Sequence, residues 1–287
     1  MTPVIALTGA AGYTGRAVTA ALSRQGVEVI ALVRRAEQGP QVLAAGARRA
    51  AAVDLADLSS LTDAFSGAAA VYHIPPNMHP AEDMLTAVVI DAAERARVPR
   101  FVLHSVLAPY LPRMPHHLRK ANSELTLRES GLTWTILQPG WYAQNLLPYA
   151  EQARDTGRIA VPYSVSAPFA PVDVHDVAEA AAVVLTESGH DFATYELSGP
   201  RLLDTREMGA TLGEVLGIPV VAVEQTLEEW RTGATSLPDS TADGLAAMFH
   251  YYDDHGLPGN PRVLTMLLGR APTELSTVLA RDLPGAP

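Results

Sequence analysis

The chain has 287 residues, 48% apolar and 18% charged, with a formal net charge of −10 and no cysteine. That composition belongs to a folded chain with a sizeable core, either one large domain or a domain with a smaller companion. The acidic balance argues against nucleic acid or an anionic membrane surface as the main partner. The missing thiols exclude thiolate catalysis, disulfides and iron–sulfur ligation.

An apolar run from Val4 stops at Gly9, and glycines recur at Gly12 and Gly15. A helical pattern then begins with Ala17, Val18, Ala21 and Leu22. This predicts a buried strand, a tight turn and a helix whose N-terminus faces the turn. Glycine admits the backbone angles such a turn needs, and its bare Cα lets a pyrophosphate come close. The helix start supplies N–H groups and a positive dipole end. Following a strand and opening a helix is the context that turns a glycine pattern into a dinucleotide site. Tyr13 and Thr14 sit in the turn and are placed against phosphate. No basic segment followed by an apolar one precedes the strand, so a cytoplasmic chain is expected. No apolar run is long enough to span a bilayer.

The helix over 17–25 ends at Gly26, and 27–33 forms a second strand followed by Arg34 and Arg35. A helix is expected over 41–49, a strand over 51–54 closed by Asp54, and a helix over 58–65 capped by Ser59 or Ser60. The fourth strand, 68–74, is stopped by Pro75-Pro76. A long helix over about 80–97 leads to a fifth strand, Arg100 to Ser105. A further helix over 116–130 precedes a sixth strand over 133–137. Alternating strands and helices with short connections predict a doubly wound parallel α/β sheet, Rossmann-type. Ligands of such sheets lie beyond the C-terminal strand ends. Gly9, Arg34, Asp54, Ile74-Pro75 and Ser105 all fall at such ends.

Many dinucleotide folds place an acid after the second strand to bond the adenosine ribose. Here Arg34 and Arg35 stand there, and a guanidinium suits a 2′-phosphate. The expected cofactor is therefore NADP(H). Asp54 either accepts from the adenine amino group or forms a turn. His73 ends strand four and is a candidate for the nicotinamide side or a satisfied strand-end histidine.

From about 141 the pattern is irregular and rich in aromatics and prolines. Residues 1–150 are expected to form the cofactor core, with 170–200 returning to it. Residues 151–287 are expected to form mainly a smaller substrate-side region. Trp141, Tyr142 and Asn145 are candidates for a flat apolar pocket, or are ordinary packing. Asp173 reads as the cap of a helix, with Asp176 at its positive end. The region 203–287 holds two or three helices, at 205–216, 226–232 and 240–252. The histidines of the 250–255 segment lie five apart, which fits no familiar metal spacing and reads as a helix end.

His116 and Lys120 are four apart on one helix face, and Glu124 continues the row. With the glycines at 9, 12 and 15 and Ser105 at the end of strand five, this resembles extended or atypical short-chain dehydrogenases/reductases. The segments 130–140 and 172–178, together with Asn145, resemble their NmrA-like branch, which includes NADPH-dependent quinone reductases and non-catalytic redox sensors. The resemblance covers about residues 1–200. The run 267–272 is also similar to bacterial members without an assigned substrate.

The resemblance implies that Lys120 bonds the nicotinamide ribose and that Ser105 polarises a carbonyl. The larger family carries a tyrosine where this chain has His116, so His116 is the candidate proton donor, with Tyr110 the alternative in the preceding loop. The implied activity is hydride transfer from NADPH to a quinone or other conjugated carbonyl. A non-catalytic NADP(H) sensor, or a tailoring reductase acting on an aromatic or polyketide-like carbonyl, are the alternatives. The implied partner is a small aromatic or quinone-like molecule, with oligomerisation open and no metal.

Overall fold

The computed structural model describes residues 3–283. The chain opens with β1 (Val4–Leu7), α1 (Tyr13–Arg24), β2 (Glu28–Val33), α2 (Gly39–Ala44), β3 (Arg49–Ala52) and α3 (Leu58–Phe65). It continues with β4 (Ala70–His73), α4 (Glu82–Arg95), β5 (Arg100–His104), α5 (Pro115–Glu129) and β6 (Thr133–Pro139). Then come α6 (Tyr149–Thr156), β7 (Arg158–Val161), α7 (Val174–Thr186), β8 (Ala193–Leu197), α8 (Thr205–Leu216) and β9 (Val221–Glu224). Four helices follow: α9 (Leu227–Gly233), α10 (Asp239–His255), α11 (Arg262–Leu268) and α12 (Leu275–Asp282).

Seven strands form one sheet in the order β3-β2-β1-β4-β5-β6-β8. The pairings from β3 through β6 are parallel. The chain winds outward from β1 to β3, then returns to the other side of β1 at β4. That reversal opens a crevice at the C-terminal ends of β1 and β4, where doubly wound sheets hold ligands. One face of the sheet is packed by Leu61, Phe65, Val89, Ile90, Phe101, Leu127 and Trp134, all buried in a single cluster.

Two compact units are distinguished. One runs up to Tyr110 and takes in His116–Gln138 and Val177–Tyr195. The other comprises Leu111–Pro115, Pro139–Asp176 and the chain from Glu196 onward. The sequence reading assigns 1–150 to the core with 170–200 returning to it; in the structure the first unit's second segment ends at Gln138 and Val177–Tyr195 rejoins it.

Several local expectations change. The cap of α3 is Asp57, whose Oδ1 accepts from the N–H groups of both Ser59 and Ser60. Those serines are receivers of the cap, because a carboxylate two and three positions earlier reaches their orphan N–H donors. The helix expected over 41–49 stops at Ala44, since Gly46 turns into the left-handed region at φ +100°. The strand β3 starts at Arg49, so Asp54 lies two residues past its end. The region read as irregular contains α6 and β7, and β7 pairs in parallel with β9 as a separate two-stranded sheet. Two helices near the C-terminus, α11 and α12, were not anticipated. By contrast, α8 occupies 205–216 as expected, and His255 is the last residue of α10.

The second unit is held by two buried carboxylates at the start of α7. Asp173 accepts from the His175 N–H, which makes it the cap, and also takes both terminal nitrogens of Arg281 at 2.8 and 2.9 Å. Asp176 binds Arg270 at 2.7 Å and both the N–H and hydroxyl of Thr273. Burial by itself would raise the Asp173 carboxyl. The Arg281 guanidinium, the His175 N–H and the Gln144 amide outweigh it and hold the group below the ordinary carboxylate value. A depressed carboxyl stabilises the fold above its unfolded-state pKa, and the contribution is lost as pH falls through the folded value.

The carboxylate packing and the first turn each set an expected outcome. Asp173→Asn is expected to cost about 2–3 kcal/mol, less than a fully buried pair because Arg281 is partly exposed. Hydrogen exchange should show the loss in the 270–283 segment, and acid titration of the native protein below about pH 4 should reproduce it. In the first turn, Gly15→Ala would set its methyl 2.3 Å from the Gly9 carbonyl oxygen. It is expected to cost about 3 kcal/mol. Gly12→Ala meets only that same oxygen, at 3.3 Å. It should change stability by about 0.5 kcal/mol or less in a thermal melt.

Candidate functional site

The three glycines of the first turn serve different needs. Gly9 has φ +66°, and a Cβ there would sit 2.8 Å from the Ile74 carbonyl oxygen. Gly15 lies so close under the turn that a Cβ would strike the Gly9 oxygen and Ala10. Gly12 is exposed, has an ordinary φ of −68°, and touches little that a methyl would displace. Neither backbone strain nor internal packing requires glycine at 12. A bare Cα at this exposed position leaves room for a ligand to approach the backbone. Gly12 is also the N-cap of α1 and offers no side chain to cap it, and no acid lies in the first turn. The helix start is thus left suited to an anion. Arg16 donates to the Ala11 carbonyl at 2.6 Å and pins the loop.

A cavity of about 480 Å³ lies along this turn, within the range of small-ligand sites, roughly 300–1,000 Å³. It is lined by Gly9, Gly12, Tyr13, Thr14 and Gly15 at one wall, and by Arg34, Gln38, Asp54 and Leu55 at another. The segment Ile74-Pro75-Pro76-Asn77 with His79 forms a third. The glycine turn, Arg34, Asp54 and Ile74-Pro75 therefore meet in one place, whereas Arg35, His73 and Lys120 do not line it. Arg34 is exposed at the end of β2. Asp54 lines the cavity and also closes a turn, its Oδ1 accepting from the Ala56 N–H at 3.0 Å. Gln38, Asn77 and His79 were missed by the sequence reading. Gln38 closes a short 3-10 turn over Ala36–Gln38, and the other two lie on the loop after β4, where only the fold shows which side chains meet.

Beneath the cavity runs a buried polar chain in which the protons can be assigned. Thr86 donates to the Glu82 carbonyl at 2.9 Å, so its oxygen must accept from Nε2–H of His73 at 3.1 Å. Nδ1 of His73 then accepts from the Thr8 hydroxyl at 2.6 Å. Thr8 in turn accepts from the Ile74 N–H. This order requires neutral His73. Burial first, then the Lys120 and His104 charges, push its pKa down to about 3. His73 is fully buried with both ring nitrogens bonded, so the structure makes it a support under the turn and not a lining residue of a substrate pocket.

Lys120 pairs with Glu82 at 2.5 Å, and Glu82 has no exposed surface. Ser105 donates to Oε1 of Glu124 at 2.5 Å, and the Gln138 amide donates to the same oxygen at 2.7 Å. The Ser105 proton is thus directed to Glu124. His116 is 5% exposed. Burial first, then the charges of His117, Lys120 and Arg119, lower its pKa to about 3. At neutral pH His116 is an uncharged imidazole and not an imidazolium donor. The sequence shows the residue in the tyrosine's place, but burial and neighbouring cations decide its proton. Tyr110 is exposed, 3.4 Å from Glu124, with its pKa raised by burial and by that carboxylate.

In the second unit, Trp141 is buried and packs against Phe169 at 5.7 Å between ring centroids. It is a buried core residue there. Tyr142 is half-buried and bridges to Val172, and Asn145 is exposed.

A sequence profile described as NAD(P)H-binding matches residues 9–188. The NAD(P)H azoreductase of Xenophilus azovorans is 31% identical over 250 residues, 86% of each chain. A (4-alkanoyl-5-oxo-2,5-dihydrofuran-3-yl)methyl phosphate reductase of Streptomyces griseus is 33% identical, over 80% of this chain and 79% of its own. The solved NADPH complex of the quinone oxidoreductase QOR2 from Escherichia coli superposes with a TM-score of 0.86 at 27% identity, covering 96% of this chain and 99% of that one. The transcriptional regulator NmrA shares the fold, with a TM-score of 0.82 at 18% identity over 99% and 96% of the two chains. With the glycine turn, the bare helix start and the cavity all inside the matched segment, the chain belongs to the NAD(P)H-binding family.

Proposed function

We propose that this protein binds NADPH and uses it to reduce a quinone, an azo compound or a related conjugated acceptor. The observation that carries the reading is the cavity at the β1–β4 reversal, which has unshielded Gly12 at one wall and Arg34 at another. NADPH, when bound, supplies the hydride. The chain supplies binding and orientation. The start of α1 faces the pyrophosphate, with Gly12 allowing backbone approach and Tyr13 and Thr14 beside it. Arg34 neutralises the 2′-phosphate, and Asp54 and Leu55 border the adenine. Ile74 and Pro75 form the wall toward the nicotinamide, and Lys120 holds its ribose.

The relatives' names agree on the acceptor class. An azo bond, a quinone and an unsaturated furanone all delocalise the electron pair a hydride delivers. Neutral His116 is not an imidazolium acid and the Ser105 proton is directed to Glu124, so neither is assigned as the source of the proton the product needs. The same two facts favour a second reading, a non-catalytic sensor of the NADP(H) ratio.

Calorimetric titration with NADPH and NADH tests the cofactor. Arg34→Ala is expected to weaken NADPH by about tenfold or more and to leave NADH nearly unchanged. Gly12→Ala should weaken both nucleotides while the melting temperature holds. Steady-state oxidation of NADPH with a panel of quinones and azo dyes separates the readings, since a sensor binds without turnover. For an enzyme, His116→Gln should leave kcat within about twofold, with no His116 ionisation between about pH 5 and 8. Strong loss in that variant would restore His116 as the acid.

A further inference from the structure

The Lys120–Glu82 pair has a feature that stability does not account for. Glu82 is fully buried, and its Oε2 has no hydrogen-bond partner among the described residues. Two desolvated charges with one carboxylate oxygen unsatisfied make a poor stabilising device. Glu82 is nevertheless fixed from two directions. Its N–H donates to the His79 carbonyl at 3.1 Å, which ties it to the loop lining the cavity. Its own carbonyl receives Thr86, which is ordered by His73 and, through it, by Thr8 directly before Gly9. The carboxylate is thus held in register with both the loop over 74–79 and the glycine turn, and it presents that register to the ammonium of Lys120.

We propose that Glu82 is a positioning residue of the cofactor site, fixing Lys120 for the nicotinamide-side ribose and tying its placement to the cavity wall. The inference rests on the assignment of the cavity to NADPH and of Lys120 to that ribose. It does not depend on the acceptor or on turnover.

A double-mutant cycle on binding affinity tests it, with Glu82→Gln, Lys120→Met and the combined variant. Each is titrated with NADPH and with adenosine 2′,5′-bisphosphate, which carries the adenine half and no second ribose. Glu82→Gln is expected to raise the Kd for NADPH about tenfold and to leave the bisphosphate within about twofold. In the Lys120→Met background the same substitution should add less than about twofold. Equal losses in both backgrounds, or equal losses for both ligands, would make Glu82 a general support of the fold and overturn the proposal. So would a Lys120→Met variant with unchanged NADPH affinity, although NADPH binding itself would then stand. Failure of the unaltered protein to bind either ligand would overturn the cavity assignment together with the proposal. If Glu82→Gln does not fold, Lys120→Arg takes its place. It keeps the charge and the pair but moves the cation, so it should weaken NADPH and spare the bisphosphate; retention of both affinities overturns the proposal.

Discussion

The first turn of the chain is governed by a lack of room. The helix α1 approaches β1 so closely that a single carbon on Gly15 would meet the Gly9 oxygen at 2.3 Å, and one on Gly9 would meet Ile74. This close approach sets α1 on the sheet and aims its N-terminus at the crevice between β1 and β4. Ile74 belongs to the same constraint, because the end of β4 leans on Gly9. The cavity wall and the glycine turn are therefore one packed object. Gly12 stands apart: among the described residues a Cβ there would meet only the Gly9 oxygen, at 3.3 Å, and its backbone lies open to the cavity.

Below that turn the protein uses buried polar groups where a sheet of this kind would ordinarily pack apolar ones. The line Thr8–His73–Thr86 satisfies every ring nitrogen and hydroxyl it contains, and neutral His73 follows from the directions of those bonds. Next to it are two carboxylates of different use. Glu124 gathers Ser105 and Gln138, whereas Glu82 engages Lys120 and leaves one oxygen unpartnered. Low dielectric makes such networks strong when complete and costly when not. A cluster with neutral histidines around one lysine places its positive charge at Lys120.

The pattern of residues made most of this architecture readable. Strand, glycine turn and helix are written in the first fifteen or so residues, and the strand ends that carry Arg34, Asp54 and Ile74-Pro75 do converge on the cavity. What the sequence does not carry is the environment of each side chain. Ser105 and His116 stand at the positions the resemblance implies, yet one has its proton tied to Glu124 and the other is too buried to hold a charge near neutrality. For Trp141 the sequence leaves both a pocket ring and ordinary packing open, and the fold packs it against Phe169. The small sheet of β7 and β9 joins four-residue segments some sixty positions apart, and neither is long enough to show a period of its own.

The sequence by itself determined the doubly wound order, the cofactor turn and the choice of arginine over acid after β2, because these depend on local residue type and on periodicity. The tertiary structure alone decided which acid holds Lys120, which proton states the histidines adopt, and that Asp173 and Asp176 fasten the C-terminal segment. Those outcomes depend on burial and on partners distant in the chain, from 38 residues away for Glu82 and Lys120 to 108 for Asp173 and Arg281. No spacing rule reaches across such separations, since the contact exists only once the chain has packed.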